Sequence, residues 1–128
     1  MTVCSYRDLT AWRVGIELIE DVYNVTRTFP KSETYGICSQ MQRAAVSVPS
    51  NIAEGHQRDS TREYLHFISI ALGSVTELDT LITVCERLGY MNNQAKERLG
   101  QKADSVGRML RGLQKSLKMK LGDKGRRR

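Results

Sequence analysis

Residues Tyr35 to Arg58 read YGICSQMQRAAVSVPSNIAEGHQR, and two stripes of heptad spacing run through them. Cys38, Met41, Ala45, Val48 and Ile52 recur at intervals of three and four, which places them on one face of a helix. Gln40, Arg43, Ser47, Asn51 (or Ser50) and Glu54 repeat that spacing on an adjacent face, with Arg58 beyond them. Ala44 and Ala45 are small enough to admit a neighbouring helix. Pro49 falls inside the pattern, where it removes a backbone donor and crowds the carbonyl of Ala45. The spacing therefore predicts a kinked helix, with Ser47 or Ser50 near the freed carbonyl. A proline and an unbroken polar row break local rules, and such breaks gather at functional or strained sites.

Outward from this stretch the chain repeats the helical theme. A helix is expected from Asp8 to about residue 28, with the Asp8 carboxylate near its N-terminal dipole. It carries two apolar rows: Leu9, Trp12, Ile16, Ile19, Tyr23 and Thr26 in one, Val14, Leu18, Val22, Val25 and Phe29 in the other. Two rows suit burial on two sides, the first in the monomer core and the second (Val14, Leu18, Val22, Val25) as a seam against another subunit. A single wide stripe inside a monomer is the other reading. Phe29-Pro30 stops this helix, and the central helix spans about 35–56. Ser60 and Glu63 form a capping box for a third helix over 61–88. Its core face holds Tyr64, Phe67 or Ile68, Ala71, Val75, Leu78, Ile82 and Cys85. Gly89 ends it, and Asn92 or Asn93 caps a fourth helix over 93–119. There Leu99, Ala103, Val106, Leu110, Leu113 and Leu117 form an unbroken seam. Gly100, Gly107 and Gly112 each weaken that helix by up to ~1 kcal/mol relative to alanine, a loss that close helix contact would offset. Four amphipathic helices on short connections imply an all-α, antiparallel up-down-up-down four-helix bundle, residues 1–120, with a basic tail over 121–128 that should fray.

The chain has 128 residues and a net charge of +6. Residues 115–128 carry seven basic residues against Asp123, so this end accounts for the whole excess and residues 1–114 are neutral. A basic terminus suits nucleic acid or another acidic surface, and equally a solubilising end. Arg108, Arg111, Lys115, Lys118, Lys120, Lys124, Arg126, Arg127 and Arg128 are the candidate RNA-binding residues. Three cysteines, Cys4, Cys38 and Cys85, are widely spaced and read as reduced thiols. No signal-peptide core and no membrane-length apolar run is recognisable, so a cytoplasmic location is expected.

The chemistry classes fall away in turn. Glu63 and His66 form one Glu-x-x-His, half of a di-iron ligand set, but no second copy exists and Glu63 serves the capping box. No metal or cofactor is expected. His56 lies beside Glu54 and Arg58 without a nucleophile or an oxyanion loop, so no enzyme is read. The row Gln40, Arg43, Ser47, Asn51, Glu54 and Arg58 is an interior hydrogen-bonded network if it faces in, and a recognition surface or solvated face if it faces out. Tyr35, Tyr64 and Tyr90 lie near helix ends, where they can stack on bases or serve packing alone.

Arg7-Asp8-Leu9 with Trp12, Phe29-Pro30, Tyr35-Gly36, the run RAAVSVPSNIAEG, then Arg58, Glu63-Tyr64, Phe67, Ala71-Leu72-Gly73-Ser74 with Glu77, and Leu88-Gly89-Tyr90 carry a resemblance. The chain resembles the four-helix-bundle family named for proteins encoded in 23S ribosomal RNA intervening sequences. The resemblance implies a bundle that assembles into a ring or barrel, a homo-oligomer of five, with no catalytic activity. Similar bundles are the accessory variability determinants of diversity-generating retroelements, which assist a reverse transcriptase and bind its template RNA. One departure is Gln42, where the family often has an arginine ahead of Arg43; the basic end from Arg108 onward stands in for it on this reading. The expected function is a non-enzymatic RNA-binding accessory to a reverse transcriptase. The alternative is a protein-interaction scaffold with no nucleic-acid role.

Overall fold

A computed structural model describes residues 5–126, with side chains described as far as Gly122. The described residues form helices joined by short turns, without strands. A 3-10 turn at Tyr6–Asp8 precedes α1 (Thr10–Thr26), and a second at Lys31–Glu33 precedes α2 (Ile37–His56); α3 (Thr61–Arg87) and α4 (Asn93–Arg126) complete the chain. α1 packs on α2, α2 on α3, α3 on α4, and α4 returns to α1. The bundle is antiparallel at each step. Gln42 meets Thr26, Ser74 meets Ser47, Gln114 meets Ser69, and Lys102 meets Asp21.

The local signals that set the helix ends differ in strength. Ser60 caps α3 by accepting from the Glu63 N–H at 3.1 Å. α3 ends in a paired C-terminal motif, in which the Gly89 N–H donates to the Glu86 carbonyl and the Tyr90 N–H to that of Cys85. Gly89 takes φ +80, a left-handed conformation in which a side chain would be strained. Asn92 then accepts from the Ala95 N–H at 2.8 Å and opens α4. α1 does not start at Asp8. The Ser5 hydroxyl and the Tyr6–Asp8 turn take up the local donors, Leu9 is extended, and the helix begins at Thr10.

Within α1 the row expected to face another subunit is the one that fills the monomer core. Leu18 and Val22 are fully buried, and Val25 and Phe29 nearly so, all inside the monomer core. Val14 is half-buried against that core. Leu18, Val22 and Val25 are therefore not available as a seam toward another subunit. Trp12, Ile16 and Ile19 are only half-buried, and Tyr23 is 39% exposed. The reason lies in the small residues. Ala11 and Gly15 share the buried face, and a Cβ added at Gly15 would lie 3.3 Å from the Pro49 Cβ. α2 closes on the side of α1 where the bulk is least.

α2 is one continuous helix through Pro49, whose ring is buried against Gly15. Its C-terminal end is equally close to α3: a Cβ on Gly55 would come 2.8 Å from the Phe67 Cβ and 3.0 Å from Tyr64 Cδ1. The core continues through Met41, Val48, Ile52, Ile68, Leu78, Ile82, Leu99 and Leu110, each buried. α4, at 34 residues, is the longest helix and runs about 50 Å, against about 25 Å for the 17 residues of α1. Its backbone is helical to Arg126, past the end near 119 expected from the seam. The offset proposed for its glycines holds at one position only. Gly107 is buried near Val75, whereas Gly100 and Gly112 have nothing within 4 Å. α3 is, among the described residues, the one helix long and apolar enough to cross a membrane, with mean hydropathy 1.5 over its best window. Its Ile68, Ala71, Val75, Leu78 and Ile82 are packed in the bundle core.

Candidate nucleic-acid interface

Arg108, Arg111, Lys115, Lys118 and Lys120 are all exposed on α4. Steps of three and four place the first four on its outward face, opposite the buried Val106, Leu110 and Leu117. No acid interrupts the sequence between Asp104 and Asp123. None of the five cations forms an ion pair among the described residues, in contrast to Lys96 and Lys102 nearer the start of α4, which pair with Glu86 at 3.1 Å and Asp21 at 2.7 Å. Lys102 also reaches Glu17 at 3.7 Å, and its bond to Asp21 holds its ammonium above the ordinary lysine range. α4 thus uses its first half to fasten the bundle and presents unpaired cations along its second. The side chains of Lys124 and Arg126, and all of Arg127 and Arg128, lie outside the described residues.

The polar row of α2 faces outward. Gln40, Arg43, Glu54 and Arg58 are exposed, while Ser47 and Asn51 are half-buried at the α2–α3 boundary. Asn51 Nδ2 donates to the Ser47 carbonyl at 2.8 Å and to its hydroxyl at 2.9 Å, and the Ser74 hydroxyl donates to Ser47 Oγ at 2.8 Å. Ser47 is spent on this cross-helix bond. Above it Gln40, Arg43, Ser74 and Glu77 line an open cleft of about 350 Å³. Arg43 and Glu77 face this cleft without an ion pair to any described residue. Farther along, Arg58 pairs with Glu54 at 3.3 Å and lies over the Phe67 ring at 4.8 Å. The row therefore divides into a structural end, Glu54–Arg58, and an open end, Gln40–Arg43. Ser74 and Glu77 belong to that open end, and a helical pairing of the two motif runs would have placed them there.

Several single residues receive definite surroundings. Gln42 turns toward α1 and donates to Thr26 Oγ1 at 3.1 Å, so it is a packing contact at the α1–α2 boundary. Tyr64 is half-buried against Gly55, with its ring edge-on to His56. Tyr90 donates to Glu33 at 2.9 Å and tilts against Phe29; that bond to a carboxylate raises its phenol above the ordinary tyrosine range. Tyr35 is 96% exposed. Of the three tyrosines named from sequence, it alone has a free ring. His66 is exposed on α3, and among the described residues no group of three or more His, Cys, Asp or Glu converges as a metal site. Cys85 is buried, 3.5 Å from the Met41 sulfur, and burial pushes its thiol up to about 11. A thiol held neutral in this way is a packing group.

The family model described as 23S rRNA-intervening sequence protein matches residues 7–112. No curated protein matches the chain in sequence. Among solved structures, the chain is similar to a protein of unknown function from the S23 ribosomal protein family of Bacteroides thetaiotaomicron VPI-5482. The two share 18% identity with a TM-score of 0.78, over 83% of this chain and 99% of that one. At that identity the likeness establishes the shared fold.

Proposed function

Since the chain belongs to the 23S rRNA-intervening sequence protein family, we propose that it is a non-enzymatic, homo-oligomeric RNA-binding protein serving as accessory to a retroelement reverse transcriptase. The observation that carries this reading is the outward face of α4, where Arg108, Arg111, Lys115 and Lys118 stand exposed and unpaired. A row of cations about 15 Å long follows a phosphate backbone without reading bases. Oligomerisation into a ring of five would repeat the row around the assembly and turn a modest contact into a polyvalent one. The outer row of α1, Trp12, Ile16 and Ile19, is the face that supports assembly, since its residues are apolar and incompletely covered within the monomer.

The test is fluorescence anisotropy with a structured RNA at several salt concentrations. Phosphate neutralisation gives a log–log slope near −0.7 per single-strand contact. Changing Arg108, Arg111, Lys115 and Lys118 together to Gln should flatten the slope by about 3 while leaving helicity intact. Deleting residues 119–128 removes five more cations and should flatten it further without melting the bundle, because Leu117 and the core seam are retained. Wild-type protein without salt-sensitive binding would end the proposal. A second reading, a protein-docking scaffold, draws on the open cleft at Arg43 and Glu77. It predicts that Arg43→Glu abolishes capture of a protein partner and leaves the salt slope unchanged.

A further inference from the structure

The corner between α1 and α2 holds a second set of groups that the α4 reading leaves unused. Tyr23, Arg27, Lys31 and Tyr35 follow one another at intervals of four. The first three line a cleft of about 240 Å³, closed by Thr34 and Gln42. Tyr35 follows Thr34 of that lining in the chain and is 96% exposed. A tyrosine normally hides its ring and shows its hydroxyl; here the whole side chain projects into solvent.

Its mounting is rigid. The Thr34 N–H donates to the Lys31 carbonyl and the Gly36 N–H to that of Glu33, and the Glu33 carboxylate is held by Tyr90 across the bundle at 2.9 Å. An exposed ring on a fixed turn loses little conformational freedom when something stacks on it.

The charges around it are positive and available. Arg27 donates to the neutral Asn24 side chain at 2.9 Å and keeps its charge unpaired. Lys31 is exposed and forms no ion pair among the described residues. Three acids lie close in sequence, of which Asp21 is paired with Lys102 at 2.7 Å. Glu33 is engaged by Tyr90, and a Cβ on Gly36 would meet its Oε1 at 2.9 Å, so its carboxylate already sits over the start of α2. Glu20 lines the neighbouring depression with Tyr23 and Arg27, without an ion pair to Arg27 among the described residues.

We propose that this corner binds one unpaired nucleotide of a single strand, with its base stacked on Tyr35 and its phosphate held by Arg27 and Lys31. An aromatic face beside two cations is the arrangement that single-stranded nucleic acid uses, and it is indifferent to base identity because each base has a π-face. The inference extends the RNA reading by naming which part of a strand the protein takes and where. Because α1 and α4 are antiparallel, the corner at the end of α1 lies at the opposite end of the bundle from the C-terminal half of α4. A strand held at both places would lie along the bundle, its phosphates on α4 and one base on the Tyr35 turn.

The experiment uses the full chain and two probes. The first is adenosine monophosphate at millimolar concentration, followed by amide chemical shifts. Shifts at Thr34, Tyr35, Gly36 and Arg27 that vanish in Tyr35→Ala and persist in Tyr35→Phe are expected; no shift at these amides overturns the proposal, whatever α4 does. The second compares labelled 12-residue single strands of RNA and DNA with a duplex of equal phosphate number. Tyr35→Ala should weaken both single strands by about five- to a hundredfold and leave the duplex unchanged. RNA preferred to DNA would assign a contact to the 2′-hydroxyl. Equal loss on single strand and duplex, or no loss on either, overturns stacking. The α4 Gln variant separates the two ideas, since it should lose salt slope on every probe and still shift with adenosine monophosphate.

Discussion

The junction where α1, α2 and α3 meet and the outward faces of α3 and α4 use the same residue types to opposite ends. At the junction, Gly55 faces Phe67 and Tyr64 at distances that leave no room for a methyl group, and Gly15 faces the Pro49 ring at 3.3 Å, where a methyl group would fit only tightly. On the outward faces Gly73, Gly100 and Gly112 have nothing within 4 Å. A glycine inside a helix costs up to ~1 kcal/mol in both places. At the junction that loss is offset by close packing of the helix backbones. On the outside the monomer offers no such offset, so these positions are where stability can be added or where a partner would approach. The same contrast holds for the two rows of α1, one filling the core and the other left half-covered.

The largest effect should come from placing one charge in each α1 row. Val22 is fully buried, so Val22→Asp places a carboxylate in the core and should unfold the chain, a loss of roughly 3–5 kcal/mol or more. Ile19→Asp touches the half-covered row. It should keep far-ultraviolet helicity nearly intact and dissociate the assembly measured by light scattering. Equal unfolding by both variants would erase the distinction between the rows. A wild-type monomer at micromolar concentration would remove the assembly from the account.

A smaller effect tests a second α2–α3 junction, at Met41 and Cys85, toward the opposite end of α3 from Phe67. The Cys85 thiol, in contact with Met41, is held up to about 11 by burial, against 9.0 for an ordinary thiol. In the unfolded chain it ionises near 9.0, and in the folded chain it stays neutral. Its contribution is therefore constant below pH 9.0 and is lost as pH rises from there to about 11, by roughly 2–3 kcal/mol. Tyr64 and Tyr90, both raised, and Lys102, also raised, act in the same direction at higher pH. Denaturant melts of wild type and Cys85→Ala between pH 8 and 11 should converge as pH rises. Parallel curves would mean that the thiol ionises freely and the junction is looser than its contacts indicate.

The sequence made the bundle legible because most of its signals are local. The Ser60 cap, the Gly89 stop and the Asn92 cap each act over a few residues, and each sits at a helix boundary in the structure. The α1 rows were misread for a non-local reason. Both are apolar, and the choice between them was made by Ala11 and Gly15, whose smallness matters only once Pro49 is known to lie opposite. The direction of the α2 polar row was open for the same reason, since Ser74 on α3 decides it. The α4 cations were legible as a charge excess toward the end of the chain, and those from Arg108 to Lys120 are exposed. Tyr35 was not separable from Tyr64 and Tyr90, because only the turns around them reveal that two are packed and one is free. The signal that points to its corner, two basic residues between two tyrosines at steps of four from Tyr23 to Tyr35, crosses a helix end and so escapes a search for helical periodicity.

The smallest effects give the comparison its sign test. Gly55→Ala pushes a methyl group to 2.8 Å from the Phe67 Cβ and 3.0 Å from Tyr64, neither of them the far end of a flexible chain. α2 and α3 must part there, and overpacking of about 1–3 kcal/mol should exceed the helix propensity gained. The net is a modest destabilisation. Gly112→Ala meets empty space, so only the propensity term remains, and it should stabilise by up to ~1 kcal/mol, or a few degrees in Tm. Thermal melts of the two variants should therefore move in opposite directions from wild type. Gly112 also lies among Arg108, Arg111 and Lys115 on the outward face of α4, so its variant carries a second readout. If RNA backbone approaches α4 closely at this point, a methyl group there should weaken salt-sensitive binding even as Tm rises. A rise in Tm with unchanged binding would place the phosphate contacts at the ends of the long basic side chains, away from the helix surface. A fall in Tm would mean that Gly112 is already in contact in the protein as it exists in solution, which is the result expected if another subunit covers α4.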